Sequence, residues 1–317
     1  MRLSLLQRAS LWLYGWAMWL LVPVLKRKLR RRGAQESGYL KHIEQRWGIY
    51  PGIPASKGAV WVHAVSLGET RAAAILIKAL RQQSPGVRIL LTHGTATGRA
   101  EGLGLLQAGD VQAWQPWDMP SAVQGFLDHF QPCMGVLLET EVWPQLIHTC
   151  AQRGLPVHLV NARMSERSLR KALRQRALAL PAYGRLTGVL AQTEADAQRL
   201  CQLGAPVTAV MGNLKYDIQI DPSQAALGQQ WRAGTQRPVV MFASSREGEE
   251  AQWLALLDQI SPQEQASVQW LVGAAPQPVA RRVSARSQAQ DRLAGRLAGR
   301  DAGLLPTGQR GLAGRQL

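Results

Sequence analysis

The segment that decides the fold is AVWVHAVSLGETRAAAILIKALRQQSPGVRILLT, residues 59–92. Its two ends, Ala59–Val65 and Val87–Thr92, are rich in β-branched and aliphatic residues, which is typical of buried strands. Between them, Thr70–Gln82 places alanine, isoleucine and leucine at helical spacing. A strand, a helix and a second strand in this order predict one unit of a parallel sheet.

The same alternation continues toward the C-terminus, where Ser121–Phe130 has the pattern of another helix. Five more β-rich runs follow: Val111–Trp114, Gly135–Glu139, Val157–Asn161, Gly188–Gln192 and Val207–Met211. We therefore expect an α/β fold with a parallel sheet covered on both faces. Ligands of such sheets bind at the carboxyl ends of the strands, so the chemistry is expected in the segments just after each strand.

The pattern also predicts where the domains begin and end. The alternating body fills residues 33–216, and a looser stretch over residues 217–237 is predicted to be a linker. A new strand at Pro238–Ala243 opens a second α/β domain, which runs over residues 238–272 for about one strand–helix–strand unit. The sequence thus predicts one complete domain and the start of another.

The charge of the chain is concentrated at its two ends. The formal net charge is +16, from 37 Lys and Arg against 21 Asp and Glu. Six cations lie in Lys26–Arg32 (KRKLRRR), Arg2 and Arg8 add two more, and residues 273–317 carry +6, which leaves residues 33–272 with only +2. Because the body has no basic stripe with interleaved aromatic residues, we expect no nucleic-acid binding by it.

The N-terminal segment has the composition of a membrane anchor. Ala9–Leu25 is a run of 17 uncharged residues that contains Trp12, Trp16 and Trp19. Tryptophan suits a membrane interface, and the basic cluster that follows suits anionic headgroups on the cytoplasmic side. We expect residues 1–32 to be an anchor that either spans or lies on the membrane. A buried N-terminal helix is the alternative, and a cleaved signal peptide is disfavoured because the cations follow the apolar run.

Seven segments of the chain resemble, in order, the motifs of the 3-deoxy-D-manno-oct-2-ulosonic acid (Kdo) transferases of lipopolysaccharide assembly. They are Trp61–Ala73 (WVHAVSLGETRAA), Leu90–Arg99 (LLTHGTATGR), Pro116–Pro132 (PWDMPSAVQGFLDHFQP), Leu137–Ile147 (LLETEVWPQLI), Leu159–Ser168 (LVNARMSERS), Ala191–Leu200 (AQTEADAQRL) and Gly212–Asp217 (GNLKYD). The resemblance implies two facing Rossmann-like domains, the GT-B arrangement of inverting glycosyltransferases. It implies that the N-terminal domain binds a lipid A precursor at the inner membrane, and that the C-terminal domain binds the donor CMP-Kdo, without a cofactor.

The resemblance also implies a catalytic base. The loop Ser66-Leu67-Gly68-Glu69 follows a strand and opens a helix, so Gly68 is expected to permit a tight turn and Glu69 to lie near the helix N-terminus. The family's base in this loop matches Glu69, and Ser66 and Gly68 are expected to bind substrate. From the residues alone, Glu69 equally suits a purely local role, since an acidic side chain stabilises the first turn of a helix.

A second pair of carboxylates follows a later strand. Glu139 and Glu141 are two residues apart and therefore expected on the same side of an extended chain. The resemblance implies a catalytic role for Glu139, either in positioning the acceptor or in supporting Glu69. The alternative is that Glu139 caps the helix that begins near Trp143-Pro144.

The remaining candidate residues are expected to bind the donor. Asn213 and Lys215 lie in the GNLK motif, where Lys215 would meet a carboxylate or phosphate as a point charge; the alternative is a solvated lysine. Ser244, Gly248 and Glu249 lie in a turn between a strand and a helix, which offers backbone N–H groups to a phosphate. The histidines and cysteines show no metal-ligand spacing, so we expect no protein-bound metal.

The resemblance ends near Val272. Residues 273–317 are rich in Arg, Ala, Gly and Gln and repeat LAGR three times, a composition that predicts disorder. A frameshift near Gly273 is one explanation for the missing C-terminal part, and a genuinely divergent short protein is the other. The chain is therefore expected to be either a transferase, active or inactive, or a non-catalytic membrane module that binds a lipid A precursor. A basic anchored protein that binds nucleic acid through its tail is the third alternative.

Overall fold

The computed structural model describes residues 3–217, 222–234, 236–245 and 248–274. The chain divides into two compact units, Met1–Gln219 and Ile220–Leu317. The division falls inside the stretch predicted to be a linker, residues 217–237. That stretch contains a helix, Pro222–Ala233, which the sequence analysis did not predict.

In the first unit, strands and helices alternate as predicted. The strands are β1 (Val60–His63), β2 (Ile89–His93), β3 (Val111–Trp114), β4 (Met134–Leu138), β5 (Val157–Ala162), β6 (Gly188–Ala191) and β7 (Val207–Val210). The helices are α1 (Leu5–Leu20), α2 (Val22–Gln35), α3 (Leu67–Gln83), α4 (Ala96–Leu103), α5 (Pro120–Phe130), α6 (Pro144–Gln152), α7 (Glu166–Arg174), α8 (Arg176–Tyr183) and α9 (Glu194–Gln202). Short 3-10 turns form at Ser37–Leu40, Ile43–Trp47 and Leu214–Asp217.

The seven strands form one parallel sheet in the order β3-β2-β1-β4-β5-β6-β7. The predicted α/β fold class is therefore confirmed. The first six strands have the order of a Rossmann domain, and the direction of strand addition reverses between β1 and β4. The loops that leave β1 and β4 separate at this point, so the fold places a crevice beside them.

Apolar side chains cover both faces of the sheet. Trp61, Leu90 and Leu137 belong to the core on one face, whereas Val62 and Leu91 belong to the core on the other. Neighbouring residues of one strand point to opposite faces, which explains why these strands are apolar without a break. All five of these side chains are fully buried.

One close contact in the sheet requires a glycine. A Cβ at Gly135 of β4 would lie 2.7 Å from the Trp61 ring on the neighbouring strand β1. The fully buried Trp61 indole donates from Nε1 to Thr92 Oγ1 at 2.8 Å, so its polar atom is satisfied. Gly135 thus makes room for the Trp61 ring within the sheet.

Two histidines lie at the ends of neighbouring strands. His63 and His93 are 1% and 0% exposed, and burial lowers the pKa of His63 to about 3 and that of His93 to about 4. Their Nδ1 atoms contact Thr92 Oγ1 at 2.9 Å and the Ala64 carbonyl oxygen at 3.0 Å, respectively. Both are therefore neutral core residues.

The predicted anchor forms two helices, α1 and α2, which meet at Leu21 with a bend of 50°. No single helix in the described ranges is long and apolar enough to cross a membrane, although this bent pair meets the length and composition criterion together. Helix α1 exposes Trp12, Trp16 and Trp19 to solvent. It packs against α6 and α8 with its other side.

A buried carboxylate joins α1 to the sheet domain. Tyr14 of α1 donates a hydrogen bond to Asp118, which follows β3. The same carboxylate accepts from the backbone N–H groups of Gln145 and Leu146, at 3.0 and 2.7 Å, and so caps the N-terminus of α6. Burial raises the pKa of Asp118 to about 6, against the lowering effect of these three hydrogen bonds.

The second unit contains α10 (Pro222–Ala233), β8 (Val239–Ser245), α11 (Glu249–Leu257), α12 (Pro262–Ser267) and β9 (Gln269–Ala274). Strands β8 and β9 are parallel, and α11 and α12 lie between them in the chain. The assignment of this unit as the opening of a second α/β domain stays a prediction. The tail from residue 275 to residue 317, predicted to be disordered, lies outside the described residues.

Candidate active site

The loop after β1 holds the predicted base at the start of α3. Ser66 is the N-cap of this helix, and its Oγ accepts from the Glu69 N–H at 3.4 Å. The Glu69 carboxylate reaches back, and accepts from the Val65 N–H at 2.8 Å and from Ser66 Oγ at 3.0 Å. Glu69 therefore has the local role at the helix start that the sequence allowed. These two hydrogen bonds hold both of its carboxylate oxygens in position.

The Glu69 carboxyl is only partly open to solvent. Burial raises its pKa above the ordinary value, and the charge of Glu139 raises it further. The hydrogen bonds from Val65 and Ser66 and the charge of Lys215 oppose this rise. A carboxylate with a raised pKa is a stronger base than one in water, which suits general base catalysis.

Glu139 follows β4 and has a left-handed backbone, with φ of 60°. The prediction that the chain is extended between Glu139 and Glu141 is therefore wrong, because β4 ends at Leu138. The alternative capping role of Glu139 is also wrong, since Asp118 caps α6 instead. A left-handed conformation costs a residue with a side chain about 1–3 kcal/mol, and such strain is frequent at functional sites.

Two cations hold the Glu139 carboxylate. Lys215 Nζ donates to Glu139 Oε1 at 3.1 Å, and Arg163 Nη1 lies 3.9 Å from Oε2. Lys215 comes from the loop after β7, and Arg163 from the loop after β5. The structure thus brings the predicted residues Glu69, Glu139 and Lys215 together at one edge of the sheet.

Glu141 is part of the same cluster, although the sequence analysis did not select it as a site residue. Its Oε2 accepts from Trp143 Nε1 at 2.9 Å. Burial raises the pKa of Glu141 to about 7, and the charges of Glu69 and Glu139 contribute to the rise. Three glutamates therefore repel one another across this crevice, and Lys215 and Arg163 supply the opposite charge.

Gly68 and Asn213 have more local roles than predicted. Gly68 is a helical residue of α3 without a positive φ, so the expected tight turn does not form there. A Cβ at Gly68 would lie 3.9 Å from Lys215 Nζ, which places this glycine beside the lysine. Asn213 Oδ1 accepts from the Lys215 N–H at 3.0 Å and shapes the loop that carries the lysine.

Asn161 is a further residue of the site that sequence reasoning missed. It lies near the carboxyl end of β5, one residue before Ala162, with a left-handed φ of 56°, and its fully buried side chain accepts from the Leu214 N–H through Oδ1 at 3.2 Å. This bond fixes the start of the turn that carries Lys215. Its position at the carboxyl end of a strand was the available signal, because ligands bind at this edge of such sheets.

The three remaining candidates, Ser244, Gly248 and Glu249, belong to the second unit. Ser244 lies in β8, and its side chain is outside the described part of the structure. Gly248 is the N-cap of α11 with φ of 94°, a conformation that favours glycine, and Glu249 begins the helix. Donor binding by these residues stays a prediction. Among the described residues, no group of three His, Cys, Asp or Glu side chains is arranged to hold a metal ion.

The model of one protein family, described as 3-deoxy-D-manno-octulosonic-acid transferase (kdotransferase), matches residues 41–218. The chain belongs to the Kdo transferase family. The 3-deoxy-D-manno-octulosonic acid transferase of Bordetella pertussis is 40% identical over 283 residues, which cover 88% of this chain and 63% of that protein. The transferase of the same description from Haemophilus influenzae is 29% identical over 220 residues, which cover 67% of this chain and 51% of that protein. The chain thus spans about half to two thirds of the length of these Kdo transferases.

Among solved structures, the chain is similar to the UDP-GlcNAc 2-epimerase from Neisseria meningitidis bound to UDP-GlcNAc, with a TM-score of 0.47 and 15% identity. That similarity covers 75% of this chain and 69% of the epimerase. A putative UDP-N-acetylglucosamine 2-epimerase from Listeria monocytogenes gives a TM-score of 0.45 at 17% identity, over 76% and 67% of the two chains.

Proposed function

We propose that this chain transfers Kdo from CMP-Kdo to a lipid A precursor, and that its first unit binds the acceptor. The observation that carries the proposal is the cluster of Glu69, Glu139 and Lys215 at the topological switch point of the sheet. Membership of the Kdo transferase family supports Kdo transfer as the reaction. No cofactor enters the proposed reaction.

In the proposed reaction, Glu69 is the general base. Its carboxylate takes the proton from an acceptor hydroxyl, the hydroxyl oxygen forms a bond to the anomeric carbon of Kdo, and CMP leaves with the electrons of the broken bond. The raised pKa of Glu69 suits this step, because a base is most effective when its pKa is near the working pH. The hydrogen bonds from Val65 and Ser66 hold the carboxylate in position.

Glu139 and Lys215 would position the acceptor beside this base. Glu139 is held by two cations and by a strained backbone, so its carboxylate has a defined place at the crevice. Lys215 is 42% exposed at its side chain and can therefore reach an anionic group of a substrate as well as Glu139. Pre-set positions of this kind lower the entropic cost of bringing reactants together.

The N-terminal helices would hold the protein at the cytoplasmic face of the inner membrane. Trp12 and Trp19 of α1 are 64% and 63% exposed, which suits insertion at a membrane interface. The basic residues of α2 suit anionic headgroups. A lipid A precursor keeps its acyl chains in the bilayer, so an enzyme that acts on it meets it at this surface.

A second candidate function is a membrane-associated module that binds the lipid A precursor without catalysis. The family model matches residues 41–218, which lie within the first unit, and that unit holds Glu69, Glu139 and Lys215. Catalysis in a cleft also needs the donor to be positioned. The two functions differ in one measurable quantity, the release of CMP.

The test is to incubate the purified chain with CMP-Kdo and a tetraacyl lipid A precursor and to measure CMP release. Glu69→Gln is expected to lower the rate by about 10²–10⁴-fold, the usual contribution of a general base. Glu194→Gln, which changes an exposed acidic residue in the first turn of α9, is the matched control and should leave the rate unchanged. Acceptor binding without turnover would support the module, and the absence of both would overturn both functions.

A further inference from the structure

A second charged cluster lies at the same edge of the sheet, beside β2 and β3. Arg46, in the turn Ile43–Trp47, is only 4% exposed and donates from Nη2 to the Gly94 carbonyl oxygen at 2.9 Å. Arg99, in the first turn of α4, is half-buried. Both guanidinium groups stack on the buried Trp114 ring, with their Cζ atoms 4.2 and 4.9 Å from its centroid.

A third cation joins this cluster from the basic helix. The Arg32 guanidinium of α2 lies over the Tyr39 ring, with Cζ 5.5 Å from its centroid. Tyr39 in turn stacks on Trp114, with the ring centroids 6.4 Å apart and the planes within 11°. Three guanidinium groups thus lie against two stacked aromatic rings, and the charges of Arg32 and Arg99 both act on the buried Arg46.

No carboxylate balances these charges at close range. In the described ranges, no Asp or Glu oxygen lies within 4.0 Å of a guanidinium nitrogen of Arg32, Arg46 or Arg99. Glu44 acts on Arg99 from a greater distance, and its carboxylate instead lies 3.7 Å from His42 Nδ1. The cluster therefore has a surplus of positive charge.

Among the described residues, three of the buried polar atoms around the cluster that lack a partner are hydrogen-bond donors, and one, Gln112 Oε1, is an acceptor. Gln45 is 0% exposed, and its Oε1 accepts from the Trp114 N–H at 2.9 Å and from Arg99 Nη1 at 3.3 Å. Because a backbone N–H can only donate, this bond fixes the orientation of the amide and makes Nε2 a donor. Gln45 Nε2, Arg46 Nε and Trp117 Nε1 are buried and have no partner within the described part of the chain.

The aromatic rings offset only part of the cost of this arrangement. Moving a charged group into a protein interior costs several kcal/mol even after relaxation. A cation–π contact returns about 0.5–2 kcal/mol. An anion beside Arg46 and Arg99 would offset the rest of this free-energy cost. The surplus of hydrogen-bond donors over acceptors favours an anion over a cation or a neutral sugar.

The cluster lies between the basic helix α2 and the candidate base. Arg46 bonds to Gly94, and the N–H groups of Gly94 and Thr95 both donate to the Val65 carbonyl oxygen, at 3.2 and 2.9 Å. Val65 immediately precedes the N-cap of the helix that carries Glu69. An anionic group held here would therefore belong to the same molecule that approaches Glu69 from the membrane side.

We propose that Arg32, Arg46 and Arg99 bind a phosphate group on the headgroup of the acceptor lipid. Arg32 and Arg99, which are accessible, would contact the phosphate, and Arg46 would supply a buried charge behind them. This inference rests on the proposed function, because the phosphate is taken to belong to its acceptor. In this proposal the arginine cluster recognises the acceptor, at a site that is near Glu69 but does not include it.

The test measures binding alone, without a sugar donor. Phosphatidylcholine vesicles contain a tetraacyl disaccharide lipid that is either phosphorylated or dephosphorylated, and co-sedimentation gives the two affinities. The wild-type protein is expected to prefer the phosphorylated lipid by at least about tenfold, since charge-assisted hydrogen bonds are the strong ones. Arg99→Gln should abolish this preference, whereas Arg174→Gln, a change of an exposed arginine in α7, should preserve it.

Arg99→Gln is the deciding variant because Arg46→Gln changes a buried side chain and can fail to fold; a thermal unfolding curve confirms that the Arg99 variant is folded. Equal affinity of the wild-type protein for both lipids would overturn the inference, as would equal losses in the Arg174 and Arg99 variants. Inorganic phosphate is the third arm. If it binds as tightly as the phosphorylated lipid and stabilises the wild-type protein but not Arg99→Gln, the site takes free phosphate and the lipid assignment is overturned. A lack of CMP release would count against the proposed function. The binding result could still be interpreted, because the binding assay does not depend on turnover.

Discussion

Lys215 Nζ lies 3.1 Å from Glu139 Oε1, across 76 residues of sequence. The contact joins the loop after β7 to the loop after β4, and the lysine also lies close enough to lower the pKa of Glu69. One cation therefore serves two carboxylates that would otherwise repel each other.

Replacing this lysine should disturb the base without unfolding the protein. In Lys215→Met, Glu69 loses a positive neighbour, so its pKa should rise and the rising limb of the rate against pH should move to higher pH. We expect turnover at neutral pH to fall by about 10–100-fold, from the loss of one charge-assisted contact in the site. The pH profile of CMP release measures both effects. Lys171→Met, at an exposed lysine of α7, is the control, and an unshifted limb in the Lys215 variant would contradict the prediction.

Glu141 should make the protein less stable as the pH rises. Its folded pKa of about 7 lies above the ordinary value of 4.5, so between these values the folded state keeps a proton that the unfolded state has lost. Unfolding free energy therefore falls as pH rises through this window, by up to about 3 kcal/mol at pH 8. Glu141→Gln keeps an acceptor for Trp143 Nε1 and removes the charge.

Urea unfolding at several pH values tests this linkage. The difference between Glu141→Gln and the wild-type protein should be small at pH 5 and should favour the variant at pH 8. Taking the difference removes the contributions of other titrating groups, such as His63 and His93. A constant difference across this range would show that Glu141 does not titrate within it.

The hydrogen bond from Tyr14 to Asp118 should stabilise the packing of α1. Tyr14→Phe leaves the buried Asp118 carboxylate with one donor fewer, which is expected to lower the unfolding free energy by about 1–3 kcal/mol. The variant should also be cleaved faster by trypsin at Arg8 or at Lys26, near the ends of α1. Tyr216→Phe, at a tyrosine that is 88% exposed, should change neither the stability nor the cleavage rate.

The exposed tryptophans of α1 should govern membrane binding and not folding. A double change, Trp12→Ala and Trp19→Ala, is expected to weaken binding to anionic vesicles by at least about tenfold, because each indole contributes interfacial contact. The melting temperature should stay nearly constant, since both side chains are mostly exposed. Trp231→Ala in α10 provides a matched loss of a partly exposed tryptophan, and equal loss of vesicle binding in this variant would count against an anchor role for α1.

Local pattern was enough to predict the sheet. Strands β1 to β6 are largely buried, so they appear in the sequence as mostly apolar runs between turn residues, and all seven strands form where the predicted runs lie. Glu69, Glu139 and Lys215 were predicted from motifs, and parallel strands bring motifs that follow different strands to the same edge.

The remaining features depend on partners that are distant in sequence. Asp118 caps α6 from 27 residues away, which no local pattern indicates, and the left-handed turn at Glu139 is hidden because the residue is not glycine. The helix over residues 222–233 was missed because none of its residues is buried, so it has no apolar stripe to reveal it.

The Asp118 link has a practical consequence for producing this protein. Deleting α1 to improve solubility would remove the Tyr14 donor and uncover the sides of α6 and α8 on which the helix packs, so the shortened protein should aggregate more readily. Replacing Trp12 and Trp19 by polar residues would lower the exposed apolar surface and leave that packing in place. Substituting these exposed tryptophans is therefore expected to give a more soluble protein than deleting the helix.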